Sequence, residues 1–394
     1  MIKRTAYLKN LQQLKDTDLI KVITGVRRSG KSTLLAQFRE ELAVSGVRKE
    51  QIIALNFEDL HNDQLRDYQK LYQYLTAQIK TKQKYYVFLD EIQNVEGFQR
   101  VVDSLYLNKQ LDIYLTGSNA YLLSGELATL LSGRYVEIKL LPFSFSEYWS
   151  STGSDKREAW KNYFANGGFP YAAALTQDNI RMQYLDGLYN TVLVKDVLAR
   201  KKIADPTLLG DIFRFLLDNI GNIVSSKKIA DSLTSYGRKT SSLTVENYLS
   251  ALSEAFIIYK ADRYDIKGKQ YLKSLSKYYA VDLGLRTLLL GNQHTDIGHL
   301  LENIVYLELL RRGYKVYIGK LDDREVDFVA MSSGGTRAYY QVAATALDSK
   351  TFAREIAPLK KIHDNYPKYL LTLDDLLQES EGIKGLNILD FLCS

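Results

Sequence analysis

The chain has 394 residues, 46% hydrophobic and 25% charged, with a net charge of +6. That balance is ordinary for a globular chain of two or three domains with sizeable cores, and excludes a disordered or fibrous polymer. One cysteine, Cys393, and four histidines exclude an internal disulfide framework and argue against a zinc site. No apolar run reaches the length of a membrane span, and Met1-Ile2-Lys3-Arg4-Thr5-Ala6-Tyr7 lacks the apolar core of a secretory signal. A cytoplasmic protein without a membrane partner is therefore expected. The positive balance is compatible with nucleic acid as a partner but does not demand it.

In chain order, Lys9–Lys15 reads as a short helix before the apolar strand Leu19-Ile20-Lys21-Val22-Ile23. The strand runs into Gly25-Val26-Arg27-Arg28-Ser29-Gly30-Lys31-Ser32, and the next residues, Thr33-Leu34-Leu35, open a helix to about Ala43. Strand, glycine-bounded loop and helix in this order have the G-x-x-x-x-G-K-[ST] spacing of a phosphate-binding loop. Glycine lets the backbone take positive φ and approach a polyphosphate closely. Successive N–H groups and the helix N-terminus then turn partial positive charge towards it. Gly25, Val26, Arg27, Arg28, Ser29, Gly30, Lys31, Ser32 and Thr33 are thus expected to hold ATP. Lys31 would lie over the β- and γ-phosphates, Arg28 would touch phosphate, and the Ser32 hydroxyl would take one Mg²⁺ position.

A second buried strand, Gln51–Phe57, and a polar helix, Leu65 to about Lys80, precede the run Tyr85-Tyr86-Val87-Phe88-Leu89-Asp90-Glu91. An acid ending a buried strand after a phosphate loop suits Mg²⁺, which assigns Asp90 to the metal; the adjacent Glu91 is placed to polarise the attacking water. The fourth strand, Leu111–Asn119, ends on Ser118-Asn119. Asn119 is the expected γ-phosphate sensor, with helix capping by either residue as the alternative. Leu130–Ile138 leads into a fifth strand. There Arg134 is either a γ-phosphate-stabilising arginine, in cis or across a subunit boundary, or a surface residue.

Together the motifs GVRRSGKSTLL, VFLDEIQ, LTGSN, LSGRY and LPFSFSEY between Val22 and Tyr148 resemble the AAA-type ATPase module of a large bacterial and archaeal family within the AAA+ superfamily. The resemblance extends along almost the whole chain. It implies an α/β fold: a P-loop NTPase parallel sheet with helices on both faces, then a winged-helix segment and a small α/β domain similar to PD-(D/E)XK nucleases. The expected divisions are an ATPase core over 1–150, a helical lid or linker over 151–205, a winged-helix-like domain over 206–297 and a nuclease-like domain over 298–394. ATP and Mg²⁺ are the implied cofactors, DNA or another protein the partner, and assembly into a homo-oligomer is expected from the habit of AAA+ relatives.

The segment Trp160–Ala174, with Gly167-Gly168-Phe169-Pro170, resembles the family's lid, although its chemistry is not legible from the residues. Tyr184–Arg200 reads as a helix. Beyond Pro206, helices over Leu208–Asn219, Ser225–Leu233 and Ser241–Ile258 precede two strands flanking Asp265-Ile266-Lys267-Gly268, which is winged-helix organisation. Were DNA the partner, Ser241, Ser242, Thr244 and Asn247 would face bases, and Arg238, Lys239, Lys267 and Lys269 phosphates; a protein-contact role is the alternative. In the last domain the nuclease resemblance maps Glu302 to the helix carboxylate and Asp327 to the strand aspartate. Gln341-Val342-Ala343 stands where an E-x-K triplet would be. Gln341 retains an oxygen for a metal, but Ala343 removes the lysine, so the expectation is a vestigial site that keeps the fold without cleavage.

Overall fold

The computed structural model describes residues 2–80, 82–118, 120, 131, 133–198, 203, 205–291, 296–376 and 379–394. It divides into two units, Met1–Leu140 with Glu254–Phe256, and Leu141–Ser253 with Ile257–Ser394.

The first unit is built on five strands: β1 (Ile20–Thr24), β2 (Ile52–Asn56), β3 (Tyr85–Asp90), β4 (Leu111–Gly117) and β5 (Tyr135–Lys139). They form one sheet in the order β2-β3-β4-β1-β5, every neighbour parallel. Successive side chains of a strand face opposite sides of the sheet, so a sheet covered on both sides needs unbroken apolar runs. β3 shows this directly. Tyr85, Val87 and Leu89 enter one core with Leu71 and Leu75 of α3 (Tyr68–Gln78) and Val101, Val102 and Leu105 of α4 (Phe98–Tyr106). Tyr86 and Phe88 enter the other with Leu8 and Leu11 of α1 (Thr5–Leu14) and Leu34, Leu35 and Phe38 of α2 (Lys31–Val44). On that second side the Phe88 and Tyr114 rings stack at 4.7 Å.

β4 lies between β1 and β3. The polar residues that end β4 therefore stand between the loop after β1 and the acids after β3. Lys21 interrupts the apolar run of β1, and its ammonium meets Asp112 of β4 at 2.5 Å with both side chains fully buried.

The second unit opens with α5 (Phe145–Thr152), α6 (Lys156–Asn166), α7 (Pro170–Ala173) and α8 (Asp178–Thr191), after which Val192–Leu198 widens to a π-helix. The expected single helix over 184–200 is thus an α-helix that begins earlier and changes pitch at Val192. Next come α9 (Pro206–Asp218), α10 (Ser226–Ser235) and α11 (Ser242–Glu254). The hairpin β6 (Ile258–Asp265) and β7 (Gln270–Ala280) follows, and α12 (Leu283–Leu290) and α13 (Ile297–Arg311) lead to the final sheet. Its remaining elements are β8 (Lys315–Leu321), β9 (Arg324–Met331), β10 (Arg337–Val342), α14 (Ser349–Lys360), β11 (Lys368–Thr372), β12 (Ile383–Asn387) and α15 (Ile388–Cys393).

The hairpin read as a wing is not a free ribbon. β6 pairs in parallel with β8 over Arg263–Asp265, which joins the hairpin to the mixed sheet β12-β11-β10-β9-β8-β6-β7. A β-bridge between Val224 and Ser276 attaches the three helices to the middle of β7. The hairpin tip with Lys267 lies several residues further along, roughly 15–20 Å at strand rise.

Candidate nucleotide site

The loop after β1 has the backbone its sequence demands. Gly25 has φ +152°, and a Cβ there would lie 2.2 Å from the Leu140 carbonyl oxygen. Gly30, at φ +99°, caps α2 in the left-handed region. Arg28 (φ 66°) and Glu91 (φ 53°) take the same region without glycine's freedom, a strain of about 1–3 kcal/mol each that concentrates at functional sites. Arg4 supports the loop from outside the motif, donating from Nη1 to the Ser29 carbonyl at 3.2 Å. Arg27 pairs with Glu58 at 2.6 Å.

Lys31 is the first residue of α2 and is 4% exposed. Its ammonium donates to the carbonyls of Gly25 (3.1 Å) and Val26 (3.3 Å) and to the Ser118 hydroxyl (3.0 Å), and lies 3.5 Å from Glu91 Oε1. The Ser118 hydroxyl in turn donates to the Glu91 carboxylate, at 2.7 and 2.8 Å to its two oxygens. Beside it, Thr116 accepts the Glu91 N–H at 2.8 Å and donates to Asp90. Ser32 also donates to the Asp90 carboxylate.

The two acids are held differently. Burial pushes Asp90 above the usual carboxylate range despite its bonds from Thr116 and Ser32, and the neighbouring Glu91 charge adds to the rise. Burial acts on Glu91 in the same sense, but Lys31 and the bonds from Ser118 and Gln93 outweigh it and hold Glu91 below that range. The oxygens of Ser32 and Asp90, already in contact, are the hard donors that Mg²⁺ takes. The donor set fits the expected metal, and the amide-lined loop fits a polyphosphate.

Lys31, Ser32, Asp90 and Glu91 thus come together beyond the C-terminal ends of β1 and β3, on either side of the end of β4. Asn119 lies outside the described residues. Arg134 corrects the reading of an arginine acting in cis. It precedes β5, whose Tyr135–Lys139 run parallel to Ile20–Thr24 of β1, so Arg134 stands at the opposite edge of the sheet, about 15 Å away at strand rise. There it pairs with Asp103 at 2.6 Å and lies over the Tyr106 ring. Thr116 is the organiser that sequence reasoning missed; the polar end of β4 was the available signal.

In the second unit, the residues offered to DNA are spread out. Ser241 caps α11 through the Thr244 N–H at 3.1 Å, and their hydroxyls bond each other at 2.9 Å. Arg238 pairs with Asp211 at 3.2 Å, and Lys267 with Asp322 at 3.3 Å. Ser242, Asn247, Lys239 and Lys269 are exposed. Glu302 and Asp327 are buried near each other, but Lys277 of β7 stands among them, 3.1 Å from Glu302 and 2.5 Å from Glu325. Gln341 is turned to Glu355, its Nε2 donating at 3.3 Å. Asp282 accounts for Gly167-Gly168: its carboxylate accepts the N–H of Gly168 at 2.6 Å and of Gly284 at 2.8 Å. A Cβ on Gly168 would lie 2.5 Å from the Phe143 carbonyl oxygen.

Residues 17–149 match the AAA domain family, and residues 157–296 match a domain described only as one of unknown function. An uncharacterized protein of Haemophilus influenzae is 43% identical over 399 residues, covering 100% of this chain and 98% of its own. An uncharacterized protein of Methanocaldococcus jannaschii is 30% identical, covering 94% of this chain and 85% of its own. Among solved structures, a Walker-type ATPase of Pyrococcus abyssi superposes with a TM-score of 0.51 at 17% identity, over 73% of this chain and 96% of its own. The last likeness is one of fold: an α/β P-loop architecture with a further mixed sheet. The chain belongs to the family of the H. influenzae and M. jannaschii proteins, and its first unit carries the AAA domain on a P-loop ATPase fold.

Proposed function

We propose that the protein is a Mg²⁺-dependent ATPase that uses the nucleotide as a switch for partner binding by its C-terminal part. The observation that carries this reading is the Lys31–Ser118–Glu91 chain, a cation and a carboxylate joined through one hydroxyl at the mouth of the phosphate loop. Lys31 rests on loop carbonyls that a phosphate can replace. Drawing its ammonium onto the γ-phosphate releases Glu91 from its nearest cation, and Glu91 can then orient water for attack. Ser32 and Asp90 would hold the metal, which supplies charge neutralisation at the phosphates when bound. Loss of the γ-phosphate returns Lys31 to Glu91, so the loop has two arrangements that hydrolysis exchanges. The partner in this reading is DNA or another protein, and a neighbouring copy is a natural source of an arginine, since Arg134 lies at the far sheet edge.

A second reading, a nucleotide-gated binding protein with negligible turnover, is favoured by the hold on Glu91. Lys31, Ser118 and Gln93 keep that carboxylate a weak base, which suits positioning water more than taking its proton. Phosphate release from Mg-ATP, measured alone, with DNA and with RNA, decides between the two. Turnover in any of the three supports the ATPase. ATP binding without turnover leaves the gated binder, and no binding at all removes both.

A further inference from the structure

We infer that Lys277 is a resident cation in the C-terminal sheet, filling with its ammonium the place a divalent metal would take among Glu302, Glu325 and Asp327, so that this acidic centre binds no metal. The acids come from separate elements: Glu302 from α13, Glu325 and Asp327 from β9. Lys277 enters from β7 and is 3% exposed, with Nζ 3.1 Å from Glu302 Oε2 and 2.5 Å from Glu325 Oε1. Two further donors reach these acids. Tyr279 donates its hydroxyl to Glu302 Oε2 at 3.2 Å, and Asp327 Oδ2 accepts the Val342 N–H at 2.8 Å.

A second, independent observation concerns Gln341. In the β9–β10 register Tyr340 pairs with Phe328, which sets Gln341 opposite Asp327 on the same face. Its Nε2 donates to Glu355, and its buried Oε1 has no hydrogen-bond partner. That oxygen is the ligand a metal would have claimed, and Lys277 makes no hydrogen bond to it. Among the described residues no group of three or more acidic, histidine or cysteine side chains is arranged to hold a metal.

The electrostatics agree with the geometry. Burial pulls Lys277 down, but Glu302, Asp327 and Glu325 outweigh it and keep the ammonium charged. Burial pushes Glu302 and Asp327 up, Lys277 opposing it in each case. A buried charge left without its partner is costly, so removing the ammonium should create demand for another cation.

The test uses the full chain carrying Asp90→Asn, which removes the acid of the first metal position, without nucleotide and with Mn²⁺ followed by its free-ion spin resonance signal. This chain is expected to leave Mn²⁺ free. Adding Lys277→Met is expected to bind about one Mn²⁺ per chain, at least tenfold more tightly than the parent, and to make the melting temperature rise with Mn²⁺. Binding by the parent that disappears with Asp327→Asn would overturn the inference, as would a folded Lys277→Met chain that takes up none. If Lys277→Met does not fold in metal-free buffer, refolding in Mn²⁺ supports the inference and failure in both buffers overturns it.

Discussion

Lys31 and Lys277 are both buried lysines that face carboxylates, and their surroundings set them apart. Lys31 shares its ammonium among two loop carbonyls, a serine hydroxyl and a single acid 3.5 Å away. Lys277 lies within 3.1 Å of two acids carried on a helix and a strand. Neutral partners on a glycine-bounded loop can be exchanged for a phosphate at small cost. Close charged partners on rigid elements cannot, because parting them strands charge away from water. The first lysine is placed to move and the second to stay.

Substitution should separate the two most sharply. Lys277→Ala is expected to cost about 3–5 kcal/mol of stability, read from denaturant unfolding, with ATP affinity unchanged in the folded fraction. Lys31→Ala should weigh the other way: ATP binding falls roughly 100-fold, about 2.7 kcal/mol, while stability falls by less than in Lys277→Ala, because Glu91 loses its cation but keeps its bonds from Ser118 and Gln93. Equal effects of the two on stability would break the comparison. Glu91→Gln is expected to keep ATP binding within about threefold and to lower turnover by roughly 10²–10³.

Two smaller effects sharpen the contrast. Gly168→Ala, which presses a Cβ against the Phe143 carbonyl, should cost about 1–3 kcal/mol and leave nucleotide binding intact. Asp282 supplies a pH dependence: burial pushes its carboxyl to about 7 despite three amide donors. Its folded pKa exceeds the unfolded one, so the native state binds the extra proton and this group's contribution is most favourable below about pH 4. That contribution diminishes as pH rises to about 7. The melting temperature should therefore fall less steeply between those values in Asp282→Asn than in the parent.

The phosphate loop was legible because its residues are consecutive, and glycine spacing, lysine and the following helix fit within a few turns of chain. β3 announced itself by an apolar run that ends abruptly on two acids. Thr116 was harder to see, because its role depends on β4 lying between β1 and β3, and strand order is not written locally. Lys277 was invisible for a stronger reason. Its partners lie 25 and 48 positions further along, and a lysine in an alternating strand ordinarily signals a wet face. Arg134, left open between a phosphate role and a surface one, shows the converse case. Its neighbourhood suggested proximity to phosphate, whereas parallel pairing places the residue before a strand at the edge opposite the one after it. The closing elements α14, β11, β12 and α15 left little periodic signal, since short buried strands and a one-turn-and-a-half helix are ambiguous from pattern alone.

The contact between Gly25 and Leu140 carries one more consequence. Leu140 donates its N–H to the Thr24 carbonyl at 2.7 Å, and its own carbonyl leaves no room for a side chain on Gly25. Leu140 is also the residue at which the chain quits the first unit, the next one belonging to the second. The foundation of the nucleotide cradle and the doorway to the following unit are thus one stretch of main chain. A side chain on Gly25 would therefore press on the very residue from which the chain leaves the first unit.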